Sequence, residues 1–346
     1  MIKNWKESLL TLEATVKDAK RVIDSSSMRV AFVVSEQGKL LGIVTQSDYR
    51  KGLLKYVDDQ APVTAIMNES PSTVLVTESE SKIREFFIKT HLAHLPVVDE
   101  DGMLISVEYY DEHLKIDSQD NWIVIMAGGL GSRLRPLTAG IPKPLLKVGA
   151  KPISETIIEN CISSGFKKFY LSVNYKAQMI EDHFGDGSNW GVQISYLKEE
   201  KQKGTAGSLS LLPEIPPKPF LVINADLVTD LNFQDLISFH LEHKVVATMC
   251  VKEYEFAVPY GVVRVNDGAI EKIDEKPIHK FFVNAGVYVL DPKVLAFLPE
   301  NKSLDMTDLF SRVIDDNQNT AVFPIHEYWL DIGCDDDYQH ANGKVI

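Results

Sequence analysis

A repeat at an offset of 64 residues governs the first third of the chain. Residues 28–48 read MRVAFVVSEQGKLLGIVTQSD and residues 92–112 read LAHLPVVDEDGMLISVEYYDE, which aligns Val33-Val34 with Val97-Val98 and Gly38 with Gly102. Each copy holds an apolar strand, a turn of the form acidic-x-Gly, a second apolar strand and a polar helix start. A helix is predicted ahead of each copy, over Val16 to Ile23 and over Ser81 to Thr90. A β-α-β-β-α unit of this size buries only one face, so the two copies are expected to pack against each other.

The segment Gly42-Ile43-Val44-Thr45-Gln46-Ser47-Asp48 follows the pattern G-I-V-T-x-x-D. With the repeat, it resembles a tandem CBS pair (a Bateman module) over about residues 1–116. In that family the Thr and Asp hold the ribose hydroxyls of an adenine nucleotide, so the resemblance implies a nucleotide site at Thr45 and Asp48. A plainer role for the two residues is the N-cap of a helix starting near Gln46. The second copy departs from the pattern, with Tyr109 where Thr45 stands and Glu112 where Asp48 stands.

Asp117-Ser118-Gln119-Asp120-Asn121 is short, polar and turn-forming, as a linker is. Beyond it the pattern changes. Apolar runs at Trp122–Met126, Phe169–Val173, Phe220–Ile223 and Val246–Val251 read as strands, and Ile153, Ile157, Ile158, Cys161 and Ile162 recur at helical spacing. The organisation expected is an α+β tandem CBS module over 1–116, a linker over 117–121 and a second domain over 122–346. Strands alternating with helices make that second domain α/β, with a doubly wound, mostly parallel, Rossmann-like sheet. Ligands of such sheets bind beyond the carboxyl ends of the strands.

The loop after the first of these strands reads Ala127-Gly128-Gly129-Leu130-Gly131-Ser132-Arg133-Leu134-Arg135-Pro136-Leu137-Thr138, then Pro142-Lys143-Pro144-Leu145. Its glycines let backbone N–H groups approach a phosphate, and Arg133 and Lys143 add positive charge beside that cradle. It is not a dinucleotide fingerprint, because Leu134 stands where the last glycine would be, and it lacks the G-K-[ST] of a Walker A loop.

The whole string resembles the signature of the sugar-1-phosphate nucleotidyltransferases, A-G-G-x-G-T-R-L-x-P-L-T-x-x-x-P-K-P-L, with Ser132 in place of Thr. Further elements follow in order: Gly204-Thr205-Ala206-Gly207, Asn224-Ala225-Asp226 with Ala225 for the usual glycine, Tyr260-Gly261-Val262-Val263, Glu275-Lys276-Pro277, Asn284-Ala285-Gly286-Val287-Tyr288 and Trp329-Leu330-Asp331-Ile332-Gly333. The resemblance runs from about Trp122 to Tyr338. It implies transfer of a nucleotidyl group from a nucleoside triphosphate to a sugar 1-phosphate, giving a nucleotide-sugar and pyrophosphate.

By the same resemblance, Asp226 and Asp331 would hold Mg²⁺, the expected cofactor, and two carboxylates suit a hard cation that keeps several waters. Arg133 and Lys143 would stabilise the α-phosphate and the leaving pyrophosphate. Ala127, Gly128, Gly129, Gly131, Glu199, Gly204 and Thr205 would form the nucleotide side. Asn224, Gly261, Glu275, Lys276 and Asn284 would form the sugar-phosphate side. Guanine presents two donors that one carboxylate can accept together, and Glu199 stands five residues before Gly204, where guanylyltransferases of this family carry a Glu. GTP is therefore the expected triphosphate, with UTP or dTTP as the alternative if Gln202 reads the base. A CBS pair fused ahead of such a domain resembles the glucosamine-1-phosphate guanylyltransferases of legionaminic acid pathways. Mannose 1-phosphate and heptose 1-phosphate stay open as sugars. A different class of function is a catalytically dead nucleotide sensor, against which all five of Arg133, Lys143, Asp226, Lys276 and Asp331 are present.

Charge and cysteine usage bound the partners. Lys+Arg 36 against Asp+Glu 49 gives −13. Residues 1–120 hold 14 basic and 20 acidic side chains, and residues 121–346 hold 22 and 29, so neither part carries a basic field for nucleic acid. Cys161, Cys250 and Cys334 have no metal-ligand spacing and read as reduced thiols. MIKNWKESLLTLEA has no apolar stretch of a secretory signal, and no run of about 18 apolar residues suggests a membrane span. The expectation is a cytoplasmic homodimer with no membrane or nucleic-acid partner. Asp335-Asp336-Asp337 reads as a helix N-terminal cluster.

Overall fold

The computed structural model describes residues 4–26, 28–79, 82–83, 86–87, 94–109, 119–299 and 302–343. The chain divides into two compact units, Met1–Lys115 and Ile116–Ile346.

In the first unit, β1 (Leu9–Leu10) leads to α1 (Val16–Ser25), β2 (Val30–Val34), β3 (Leu40–Thr45) and α2 (Gln46–Leu54). The second copy contributes β4 (Val74–Leu75), β5 (His94–Val98) and β6 (Leu104–Tyr109). Each copy forms a three-stranded sheet in which the first strand is parallel to the second and the second is antiparallel to the third. The repeat extends to irregularities: the register shifts between Val33 and Val34 in one copy and between Val97 and Val98 in the other. Met28, Val30, Phe32 and Val34 bury against Leu104 and Val107 of the second copy. Leu40 N donates to Gly102 O and Leu104 N donates to Gly38 O, both at 3.0 Å, so the two turns are stitched reciprocally. The helix expected over Ser81 to Thr90 lies mostly outside the described residues, although 82–83 and 86–87 are helical. Glu112 also lies outside them, as does the side chain of Tyr109.

The second unit begins with β7 (Gln119–Met126), three residues earlier than the apolar run suggests. Gln119 is already in register with Phe166, and the buried Asn121 amide donates to Pro219 O at 2.6 Å. Polar Gln119, Asp120 and Asn121 are thus strand rather than linker; Asp117 and Ser118 lie outside the described residues. The chain continues through α3 (Leu137–Gly140), β8 (Lys147–Val148), β9 (Lys151–Pro152), α4 (Ile153–Ser163), β10 (Phe166–Val173), α5 (Ala177–Phe184), β11 (Gln193–Lys198) and α6 (Gly204–Gly207). Next come β12 (Phe220–Asn224), β13 (Leu227–Thr229), α7 (Phe233–His243), β14 (Ala247–Ala257), β15 (Gly261–Asn266), β16 (Ala269–Glu275) and β17 (Ile278–Leu290). The last elements are α8 (Met306–Asp315), β18 (Thr320–Ile325), β19 (Trp329–Asp331) and α9 (Asp335–Gly343).

Seven strands form the main sheet in the order β11-β10-β7-β12-β17-β14-β18. Only β17 runs antiparallel to its neighbours, so the sheet is mostly parallel. Along β7, Ile123 and Ile125 enter one apolar cluster while Trp122 and Val124 enter the other. Both faces are covered, which is why its strands read as continuous apolar runs. The strand expected at Val246–Val251 continues to Ala257, because Glu253 and Glu255 leave the core but still pair with Phe282 and Lys280 of β17. The carboxyl ends of β7, β10 and β12 lie side by side, through Met126 opposite Ser172 and Asn224.

Candidate active site

The glycine-rich loop leaves the carboxyl end of β7 with Ala127 N donating to Ser172 O of β10 at 2.9 Å. Gly128 has no room for a side chain: a Cβ there would lie 2.7 Å from Glu199 Oε1. Around Gly129 the space is open. Gly131 takes φ +61°, and a Cβ there would strike Thr138 Cγ2 at 2.8 Å. The Thr138 hydroxyl returns a bond to Gly131 O at 2.8 Å, closing the loop on itself. These close approaches explain Gly128 and Gly131 without assuming a ligand; Gly129 has no such constraint.

Across from the loop stand two carboxylates. Asp226 ends the turn between β12 and β13, and Asp331 ends β19, which pairs antiparallel to β13 with Leu227 opposite Asp331. Ile332 N donates to Asp226 O at 3.0 Å, which ties the two strand ends together. Lys143 Nζ donates to Asp226 Oδ2 at 2.6 Å. Asp226 Oδ1 and Asp331 Oδ1 are buried with no hydrogen-bond partner. Burial raises the Asp331 pKa above the ordinary carboxylate range, the Asp226 charge raises it further, and Lys143 and Arg133 oppose the rise. Arg133 reaches the same place, since its Nη1 would lie 3.5 Å from a Cβ on Gly333. The sequence-predicted set Arg133, Lys143, Asp226 and Asp331 therefore converges on one spot.

Two unpartnered, buried carboxylate oxygens are costly unless a cation or proton comes to them. The pair thus fits a hard divalent ion, which takes few protein ligands. Among the described residues no group of three or more His, Cys, Asp or Glu side chains is placed to hold a metal.

The residues expected to meet the sugar are spread over β12 and β15 to β17. Gly261 faces Glu275 across β15 and β16, and a Cβ on Gly261 would lie 2.9 Å from Glu275 Oε2. Lys276 is exposed at φ +46°, its N–H donating to Tyr260 O at 3.3 Å. Asn224 lies under Gly286, where a Cβ would meet its Nδ2 at 2.7 Å; its Oδ1 is buried without a partner. The Asn284 amide is engaged internally: Nδ2 donates to Tyr288 Oη at 2.6 Å and Oδ1 accepts from Gly286 N at 3.0 Å.

Gly204 (φ +76°) and Thr205 start α6 against the head of α8. Thr205 N donates to Asp305 Oδ1 at 3.1 Å, and the Thr205 hydroxyl accepts from Met306 N at 2.8 Å. Glu199 bridges this segment to the sheet: Ser172 Oγ donates to its Oε1 and Lys203 N to its Oε2.

Ser172 and Asp337 lie outside the transferase motifs, and Thr138 and Tyr288, although inside them, have no role assigned from the sequence. Asp337 Oδ2 accepts from Gly333 N at 3.0 Å and Cys334 N at 2.9 Å, fixing the chain just after Asp331. Those bonds, with that of the Cys334 thiol, hold its carboxyl below the usual range although burial opposes them. The acidic triplet does open α9, as its position in the sequence suggested, yet Asp337 also braces the site.

In the first unit, Thr45 and Asp48 form a reciprocal cap of α2. The Thr45 hydroxyl and N–H both donate to Asp48 Oδ2, at 2.7 and 3.0 Å, and Asp48 N donates back at 3.3 Å. Thr15 and Asp18 form the same box on α1.

A family model described as nucleotidyl transferase matches residues 123–346, and one described as CBS domain matches residues 9–55 and 63–107. The chain belongs to the nucleotidyl transferase family and carries two CBS domains at its N-terminal end. Its sequence is 34% identical over 224 residues to a mannose-1-phosphate guanyltransferase of Schizosaccharomyces pombe, covering 62% of this chain and 61% of that one. It is 32% identical over 243 residues to a UTP–glucose-1-phosphate uridylyltransferase of Synechocystis, covering 64% of this chain and 63% of that one. The chain thus spans about three fifths of the length of these relatives. The crystal structure of HddC from Yersinia pseudotuberculosis shares the fold with TM-score 0.52 and 26% identity, over 65% of this chain and all of that one. Among the described residues no helix is long and apolar enough to cross a membrane.

Proposed function

We propose that this chain is a sugar-1-phosphate nucleotidyltransferase that joins GTP to a sugar 1-phosphate, α-D-glucosamine 1-phosphate being the sugar we put first. The observation that carries the reading is the convergence of Lys143, Arg133, Asp226 and Asp331 at the strand ends, with two buried carboxylate oxygens that have no hydrogen-bond partner. A phosphate oxygen of the sugar 1-phosphate attacks the α-phosphorus. The new P–O bond forms as the bond to the bridging oxygen breaks, and pyrophosphate leaves with the electron pair. No protein nucleophile is required, so positioning and neutralisation of charge do the work.

Asp226 and Asp331 would hold Mg²⁺, which when bound would supply positive charge to the reacting phosphates. Arg133 and Lys143 take the charge developing on the α-phosphate and on pyrophosphate. Ala127, Gly128, Gly129, Gly131, Gly204 and Thr205 frame the triphosphate and base, with Glu199 as the base reader. Lys276 grips the sugar phosphate, while Glu275, Gly261, Asn224 and Asn284 meet the sugar. Asn284 reaches it only if its amide is shared with, or released from, Tyr288. The names of the relatives keep mannose 1-phosphate as the competing sugar and UTP as the competing triphosphate.

Around this centre we infer a CBS module over 1–116 and a catalytic domain that starts with β7 at Gln119 rather than at Trp122. We also infer a homodimer in the cytoplasm, and an adenine nucleotide bound at Thr45 and Asp48 in addition to their capping bonds.

The test is kcat/KM for GTP, UTP and dTTP, each with glucosamine, mannose and heptose 1-phosphates. The reading expects GTP and glucosamine 1-phosphate to lead. A preference for UTP ends the guanine assignment, and a clear preference for mannose 1-phosphate ends the glucosamine one.

A further inference from the structure

Ser172 sits in β10 at the carboxyl end of the sheet, and it is fully buried. Its hydroxyl donates to Glu199 Oε1 at 2.6 Å. Lys203 N donates to the other oxygen, Oε2, at 2.9 Å. The Glu199 main chain is pinned as well: its N–H donates to Val173 O at 3.0 Å, and its carbonyl accepts from Asn174 Nδ2 at 2.7 Å. Gly128 lies against Oε1 with no space for a methyl group between them. Glu199 is therefore held at four points while remaining half-buried.

A carboxylate has about four lone-pair sites, two on each oxygen. One on each is spent here, on opposite ends of the group. One on each is left, in a carboxylate that a hydrogen bond to each oxygen holds in place. Guanine offers the matching pair, N1–H and the 2-amino N–H, at the spacing of the two carboxylate oxygens. Uracil and thymine offer a single N–H flanked by carbonyls, which a fixed carboxylate repels.

We propose that Ser172 is a specificity-determining positioning residue: its hydroxyl locks the Glu199 carboxylate in the orientation that accepts both guanine donors at once. This rests on the guanine reading of Glu199 given above. Ser172 touches no substrate; it acts through Glu199. Without the hydroxyl, Oε1 loses its buried donor and the carboxylate is free to turn about its last bond. One of the two guanine contacts is then lost before the other.

Inosine triphosphate separates this role from a structural one, because it keeps N1–H and lacks the 2-amino group. The experiment measures kcat and KM for GTP, ITP and UTP with the full chain and with Ser172→Ala, alongside melting temperatures. Wild type is expected to favour GTP over ITP. In Ser172→Ala, kcat/KM for GTP should fall about tenfold, the size of one lost hydrogen bond to a charged group, mostly through KM. ITP should fall much less, so the GTP-to-ITP ratio drops toward one while KM for the sugar 1-phosphate is unchanged. Equal losses for GTP and ITP, or an unchanged ratio, would overturn the proposal. A wild type that prefers UTP removes the guanine reading itself, a distinct failure. If Ser172→Ala does not fold, Ser172→Cys keeps the volume and a weak donor, and its ratio should lie between one and the wild-type value; a wild-type ratio would count against the proposal.

Discussion

Lys143 Nζ lies 2.6 Å from Asp226 Oδ2, and the two side chains are only 11% and 24% exposed. The ammonium neutralises one of two carboxylates that the strands force together. It leaves Oδ1 of both Asp226 and Asp331 without a partner. The lysine proposed to meet a phosphate is thus also a structural counter-ion to Asp226.

Lys143→Ala should therefore lose both activity and stability. Removal of a group acting on developing phosphate charge should lower kcat by about 10²–10³. Loss of the counter-ion from a partly buried pair should cost on the order of 1–3 kcal/mol in metal-free buffer. Added Mg²⁺ should restore more of the stability in the variant than it adds to wild type. Chemical denaturation with and without Mg²⁺ checks this; equal stabilities of variant and wild type in metal-free buffer would contradict it.

Asp226→Asn keeps the shape of the side chain and removes its charge. The Mg²⁺ concentration for half-maximal rate should rise at least about tenfold, by loss of one of the two carboxylates proposed to hold the ion. The same change relieves the repulsion that helps to raise the Asp331 pKa, so Asp331 should titrate lower in the variant. Mg²⁺ titration of the initial rate, and carboxyl titration by NMR, read the two effects separately.

His240 in α7 is buried, its Nδ1 2.9 Å from Thr248 Oγ1, and burial pushes its pKa down to about 4. The folded chain thus binds a proton less readily than the unfolded chain, where histidine titrates near 6.5. Stability contributed by the neutral ring is present above about pH 6.5 and is lost as pH falls toward 4. Wild type should lose stability relative to His240→Gln over that window and run parallel to it above pH 7. Parallel curves at all pH values would reject the assignment.

The matching capping boxes at Thr15–Asp18 and Thr45–Asp48 give an internal control for the CBS module. Asp18→Ala and Asp48→Ala should each lower the melting temperature through the lost cap. Only Asp48→Ala should lose the heat of binding AMP, ADP or ATP in titration calorimetry. Equal heats from wild type and Asp48→Ala, or none from wild type, would leave the cap as the sole role of these residues.

What the sequence made legible was local. The glycine loop, the strand cores and the repeat all announce themselves within a few residues, because backbone conformation and burial period are short-range properties. Gly131 is an example, with its left-handed φ and its bond from Thr138 seven residues on. Bonds across long loops were invisible. Lys143 meets Asp226 across 83 residues, and Asn121 is drawn into β7 by Pro219, 98 residues away. Asn121 reads as linker, and the strand expected to end at Val251 stops short of Glu253, because their partners lie elsewhere in the chain. Ser172 escaped notice because a serine in an apolar strand looks like filler until Glu199 is seen above it.

The central claim is nucleotidyl transfer at the Lys143–Asp226–Asp331 centre. Its most direct measurement is release of pyrophosphate by the full chain supplied with GTP, glucosamine 1-phosphate and Mg²⁺, with GDP-sugar counted in parallel. The account predicts one pyrophosphate per GDP-sugar, dependence on both substrates, and abolition by EDTA. No pyrophosphate from GTP, UTP or dTTP with any sugar 1-phosphate would contradict it and leave a nucleotide-sensing protein on a silent transferase fold.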